Sequence, residues 1–251
     1  MSVNSELARL LEHPAIWRGT SVARTETLPT GFGALDERLP GRGWPRSGLI
    51  EILVSRFGVG ELTLLLPALA ALTRRPMARW CVWVAPPLEP FAPSLAAHGV
   101  VLERLLVVRA SAVPAGDSLA NRSVVPAGDS LANRSVAPRR GSPNGVPGAR
   151  ATWAFEQSLG SGACDIALAW AKRPRAKEIR RLQLAAERGR TLGVLFRPQQ
   201  AARESSYAAL RMVVAPCAHG IRVTLLKSKG GVRGSIELSL PAAGSCCVCR
   251  P

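Results

Sequence analysis

The chain has 251 residues, 47% of them hydrophobic, a mean hydropathy of +0.12, and 33 Lys+Arg against 17 Asp+Glu, for a formal charge of +16. This is enough apolar material for one sizeable core with extensions. No run approaches the roughly 18 apolar residues of a membrane span, and Met1-Ser2-Val3-Asn4-Ser5-Glu6 has no basic stretch leading into an apolar one, so a cytoplasmic protein without a membrane partner is expected.

In chain order, Leu7, Leu10, Leu11 and Ile16 recur at helical spacing behind Asn4 or Ser5 as N-cap, and Pro14 closes the pattern. Residues 1–24 therefore read as a short helical arm and connector, followed by a core domain over 25–240. A Gly/Pro-rich turn at 40–48 leads into an apolar strand, Leu49 to Val54, then a Gly-containing turn at 55–60 and a Leu/Ala-rich helix from Leu62 to Leu72. Ala78 to Ala85 is a mostly apolar run of the kind buried in parallel sheets. A helix near 90–98, a strand at Leu105–Val108, a helix at Trp153–Leu159, a strand at Asp165–Trp170, a basic helix at Ala176–Arg188 and a strand at Thr191–Phe196 continue the alternation. This order predicts an α/β protein with right-handed crossovers and a mainly parallel sheet flanked by helices. After Arg197-Pro198, the runs Leu210–Val214, Ile221–Leu226 and Ile236–Leu240 are expected to finish the sheet as antiparallel strands at its C-terminal end.

The segment Val113 to Val124 recurs letter for letter as Val125 to Val136. Two short copies are too few for a solenoid, which stacks longer repeats in threes or more. With the Pro-, Gly-, Ser- and Arg-rich stretch after it, 111–150 reads as a disordered insertion carrying a tandem duplication. Cys81, Cys164 and Cys217 sit in apolar surroundings and read as small core residues. Cys246, Cys247 and Cys249 lie in a C-terminal tail, 241–251, and lack the further ligands that a zinc site needs, so no metal is expected.

The stretch from Leu49 to Thr63 has the layout of a phosphate-binding loop, a strand, a Gly-containing turn and a helix start. Its chemistry is missing. Ser55 takes the first glycine slot, Gly58 and Gly60 supply the bend, Glu61 takes the lysine slot and Leu62 the Ser/Thr slot, with Thr63 one place late. A unit-charge pair at about 4 Å is worth about 4 kcal/mol at an effective dielectric of 20, so an acid in place of the lysine opposes triphosphate binding. Leu62 removes the hydroxyl that would hold magnesium. Trp170 ends the strand where the magnesium-orienting acid belongs, Asp165 lies at its far end, and Pro86-Pro87 stand where a glutamate would activate water. No catalytic residue, no bound nucleotide or other cofactor, and no enzymatic activity are expected.

Here the residues resemble a known group. Thr30 to Asp36, Gly43 to Ile52 and Val223 to Lys229 look like the core of RecA recombinases, implying a RecA-like fold. His13 to Gly19, Gly58 to Leu69, Trp153 to Leu159 and Ser161 to Asp165 resemble the ImuA family of translesion-synthesis accessory proteins. That resemblance implies a noncatalytic, damage-inducible adaptor. Its implied partners are ImuB, an inactive Y-family polymerase relative, and an error-prone C-family DNA polymerase, with RecA and DNA as further candidates. SulA-type cell-division inhibitors, which act on the FtsZ-type GTPase, share such a degenerate core and form the alternative. The insertion departs from both patterns.

The net charge favours acidic or polyanionic partners, nucleic acid first, although an Arg- and Ala-rich composition also follows from a GC-rich genome. Arg173, Arg175, Lys177, Arg180 and Arg181 on the basic helix are one candidate nucleic-acid surface, and Lys227, Lys229 and Arg233 after the strand at 221–226 are a second. A solvated face is the ordinary meaning of such rows. The tryptophans within strands and helices read as core, with Trp44 in its turn the least determined.

Overall fold

The computed structural model describes residues 26–109, 147–171, 174–228 and 232–240. The predicted N-terminal arm, the duplicated segment and the cysteine-rich tail lie outside them.

The organising element is β3 (Gly48–Val54), whose seven residues are all buried. A strand buried on both faces must also be paired on both edges, since an unpaired buried backbone group costs about a hydrogen bond. It pairs in parallel with β7 (Leu192–Pro198) on one side and β8 (Leu210–Cys217) on the other. The full sheet has eight strands in the order β10-β9-β8-β3-β7-β6-β4-β5. The others are β4 (Trp80–Val84), β5 (Leu105–Val108), β6 (Cys164–Trp170), β9 (Gly220–Ser228) and β10 (Gly234–Ser239). Before it, β1 (Thr27–Leu28) and β2 (Trp44–Pro45) form a small antiparallel pair. The molecule is thus α/β with a mixed sheet.

Alternation along β3 divides the interior in two. Ile50, Ile52 and Val54 face a core shared with α1 (Gly33–Asp36), α2 (Leu66–Thr73), α3 (Ala92–Ala97) and the fully buried Trp44. Leu49, Val82, Val84 and Leu195 face the other layer, α4 (Pro147–Gly160) and α5 (Ala176–Gly189), through Phe155, Leu159, Ile179, Leu182 and Ala186. Each such buried large side chain contributes about 1.5–3 kcal/mol. Helices α4 and α5 approach so closely at Gly189 that a Cβ there would stand 1.9 Å from the carbonyl oxygen of Leu159.

Three expectations change. The strand at 210–217 runs parallel to β3; only its meander with β9 and β10 is antiparallel. The chain returns from β7 to β8 through a 3₁₀ turn, Gln199–Arg203, and an extended loop, which allows that parallel course. The helix expected from Leu62 begins at Leu66, because Pro67 has no N–H to continue an α-helical ladder back to Thr63. Residues 61–65 instead form turns in which the N–H groups of Leu65 and Leu66 reach the Leu62 carbonyl. Residues 147–150, expected as the end of the insertion, belong to the first turn of α4, since Ala149-Arg150-Ala151-Thr152 contains no helix breaker. Trp44, the least determined tryptophan, is core.

Candidate functional site

The candidate site is the loop that leaves the C-terminal end of β3. Ser55 and Arg56 are exposed, and the bend is made at Gly58 (φ +84°) and Gly60 (φ +101°). Gly60 also lies so close to β9 and to the end of β10 that a Cβ would meet Ile221 at 2.9 Å and Leu240 at 2.7 Å. Both dihedrals lie in the left-handed region that glycine enters without the Cβ clash. The chain then folds back on itself. Glu61 is 3% exposed, and its carboxylate accepts the backbone N–H of Gly58 at 2.8 Å (Oε1) and of Val59 at 2.9 Å (Oε2).

Charge-assisted bonds of this kind are about twice as strong as neutral ones. Amide donors that an anion-binding loop would direct outward are here turned inward onto the chain's own acid. Leu62 packs partly buried against the main core and Thr63 is half-buried. Phe57 on this loop, and Leu88 and Phe91 in the loop after β4, are exposed; the two loops follow the C-terminal ends of strands three positions apart in the sheet.

Behind the loop, Trp170 at the end of β6 stacks on Phe196 of β7 at 4.9 Å between ring centroids and contacts Trp83 of β4 at 5.8 Å. Trp170 is thus held by aromatic packing between β4 and β7. Asp165 stands at the opposite end of β6, 5% exposed, accepting the Arg79 backbone N–H at 2.8 Å and its Nε at 3.2 Å. After β4, Ala85 holds a positive φ of 49° and leads into Pro86; Glu89 nearby is at the surface, paired with Arg109. Among the described residues no group of three His, Cys, Asp or Glu side chains could hold a metal ion.

The two basic rows are rearranged by the fold. On α5, Arg175, Lys177, Arg180 and Arg181 are exposed, but the Arg175 N–H is bonded to Glu178 at 2.6 Å. Arg181 pairs with Glu156 of α4, which raises its pKa through the hydrogen bond and the charge. The Arg180 guanidinium lies 5.5 Å from the Tyr207 ring centroid. Lys227 is inside β9 and not beyond it, donating to the Ser206 carbonyl at 2.7 Å. Arg180 and Lys227 therefore meet the same loop, at Tyr207 and Ser206. Arg233 is exposed just before β10; Arg173 and Lys229 lie outside the described residues.

Sequence reasoning missed a buried ionic triad. Glu51, in the middle of β3 and 0% exposed, receives Arg197 Nη1 at 2.9 Å and Arg211 Nε at 2.5 Å. The signal was present: single charges inside otherwise apolar strand runs at 51, 197 and 211. It also missed the arginines around Asp165, which come from two separate segments, the β2–β3 turn and the connection between α2 and β4.

No protein-family model matches the chain. It is 40% identical over 58 residues to the cell division inhibitor SulA of Photorhabdus laumondii, which covers 23% of this chain and 33% of that protein. It is 28% identical over 160 residues to the cell division inhibitor SulA of Edwardsiella piscicida, covering 62% of this chain and 71% of that protein. The first match thus spans one third of that relative's length. Among solved structures, SulA from Pseudomonas aeruginosa is 21% identical with a TM-score of 0.38, covering 59% of this chain and 97% of that one. The chain has weak sequence similarity to SulA, which favours the division-inhibitor alternative over the translesion-synthesis reading that led the sequence analysis.

Proposed function

We propose that this chain is a noncatalytic, SulA-like inhibitor of cell division with a degenerate RecA-like core, made in response to DNA damage and acting by binding the FtsZ-type division GTPase. The observation that carries the noncatalytic part is the Glu61 carboxylate seated on the Gly58 and Val59 amides. A phosphate approaching that loop would have to displace a buried, doubly bonded carboxylate of its own sign. The weak similarity to the two SulA proteins supports the choice of partner. The parallel arrangement β8-β3-β7-β6-β4, with the loop leaving its central strand, supports the RecA-like reading of the core.

Binding without chemistry needs a surface. Phe57 on the closed loop, with Leu88 and Phe91 after β4, supplies exposed apolar area that a protein partner would bury. Accessory partnership with ImuB and the C-family polymerase rests only on the residue resemblance and is not part of this proposal. The test is overproduction from an inducible promoter. Filamentous cells without septa and with separated nucleoids are expected, and replacing Phe57 and Phe91 by Asp together should restore division at equal protein level. Normal division in the presence of abundant, folded protein would overturn the proposal.

A further inference from the structure

At the other end of the sheet three arginines converge on one acid. The Asp165 side chain is 3% exposed, and its Oδ1 lies 3.2 Å from Arg79 Nε, 3.9 Å from Arg46 Nη2 and 3.9 Å from Arg75 Nη1. The three cations thus stand within about 8 Å of one another. Arg79 is fully engaged. Besides Asp165 it donates to the carbonyls of Gly162 (2.9 Å), Gly189 (3.2 Å) and Arg190 (2.7 Å), tying the start of β4 to the turns that precede β6 and β7. Its charge and that of Asp165 offset each other.

Arg46 and Arg75 differ. At 3.9 Å they are held by attraction but are too far to donate a hydrogen bond to the acid, and their side chains are 24% and 49% exposed. Two guanidiniums are thereby held near each other around one carboxylate oxygen, with part of each side chain open to solvent. Repulsion between them is tolerated only because a buried carboxylate anchors both. Trp80, the residue that follows Arg79, is 42% exposed at the first position of β4, where burial would be the default for an indole. Paired cations beside an accessible aromatic face are the elements with which proteins hold single strands, phosphates on the cations and an unstacked base on the ring. An acidic peptide would use the arginines but not the indole, and a duplex offers no unstacked base.

We propose that Arg46, Arg75 and Trp80, positioned by the Asp165–Arg79 pair, form a binding site for single-stranded nucleic acid. It lies at the N-terminal ends of the strands, away from the loop at Glu61, and does not depend on the division-inhibitor proposal.

The full chain is titrated into a fluorescein-labelled oligothymidylate, with anisotropy read over a range of salt. Replacing Arg46 and Arg75 together by Ala should weaken binding about tenfold or more and make the log–log salt slope shallower by about 1.4, since each phosphate on a single strand accounts for about 0.7. Trp80→Ala should weaken binding several-fold with the slope unchanged. Arg203→Ala, which removes the same charge near the C-terminal end of β7, should change affinity less than twofold. An equal loss from Arg203→Ala, or none from the double replacement, overturns the site. With the unmodified chain, binding of polyglutamate or of duplex as tight as that of the single strand overturns the choice of ligand, whatever the variants' folding.

Discussion

Glu51 and Arg211 are register partners across β3 and β8, and the Arg211 Nε donates to Glu51 Oε2 at 2.5 Å in the interior of the sheet. The pairing answers a local difficulty. Since β7 returns to β8 through a 3₁₀ turn and loop, no helix satisfies the carbonyls of that crossover; Arg211 does so, donating to Ala201 and Glu204 at 2.7 Å each. Arg197 reaches Glu204 Oε2 at 2.7 Å and leaves its Nε without a partner among the described residues. The acid on the central strand holds both cations in place.

Glu51→Leu should therefore be strongly destabilising. It leaves two guanidiniums buried without their shared anion, and breaking a buried pair in this way costs about 3–5 kcal/mol. Urea unfolding should show a lower midpoint with little change in slope. An unchanged midpoint would mean that the arginines find water once the acid is gone.

Glu61→Ala should cost less, about 1–3 kcal/mol, the loss of a buried acceptor for two amides. Gly58 is exposed and can turn to water, whereas Val59 is buried, so the cost comes mainly from Val59. Glu61→Lys restores the cation of a phosphate loop but not the hydroxyl or the magnesium acid. ATP turnover should stay at background in a phosphate-release assay with magnesium present, and activity above it would show that Leu62 and Trp170 are less obstructive than their packing indicates.

Much of the sheet was legible because buried parallel strands announce themselves as unbroken apolar runs. The segments 105–108 and 164–170 lie within a residue of where hydrophobicity alone puts them. The direction of β8 was not legible, since a strand's own residues do not say which neighbour it joins; the long crossover from β7 decides it. In the site, the structure shows where Glu61 and Leu62 lie, Glu61 buried on the loop and Leu62 packed partly buried against the main core. That Glu61 closes the loop by bonding Gly58 and Val59 depends on the two positive φ angles, which the sequence hints at only through its glycines. The arginines around Asp165 were invisible for a simpler reason. They are separated from it by 86 residues or more and meet only when β4, β6 and the β2–β3 turn are assembled.

Cys81 gives a pH test. Burial, with Asp165 and Cys164 nearby, pushes its thiol from 9.0 up to about 12, and burial raises Cys164 as well. The folded state keeps the proton that the unfolded chain releases near pH 9, so this contribution is intact below that pH and is lost as pH rises toward 12. The slope is at most about 1.4 kcal/mol per pH unit for one proton. Unfolding midpoints measured from pH 8 to 11 should fall, and Cys81→Ala should flatten the fall. At pH 8 the half-exposed Cys217 should react with a thiol reagent well before Cys81; equal rates would contradict the burial.

Trp170 separates packing from lost chemistry. Its ring lies nearly parallel to Phe196, at 17°, and tilts 52° to Trp83, so it is the middle member of a three-ring stack joining β4, β6 and β7. Trp170→Ala should cost about 3 kcal/mol, the low end for a large aromatic, because Trp170 is only partly buried. Trp170→Phe should recover most of that loss. Trp170→Asp supplies the acid of a working ATPase but sets an unpaired carboxylate against two aromatic rings, where desolvation opposes its charge. It should be the least stable of the three and still fail to retain a nucleotide analogue in equilibrium dialysis. If the Asp variant instead gained magnesium-dependent nucleotide binding, the aromatic stack would be a late replacement in a loop that still works, and the closed conformation held by Glu61 would have to open readily.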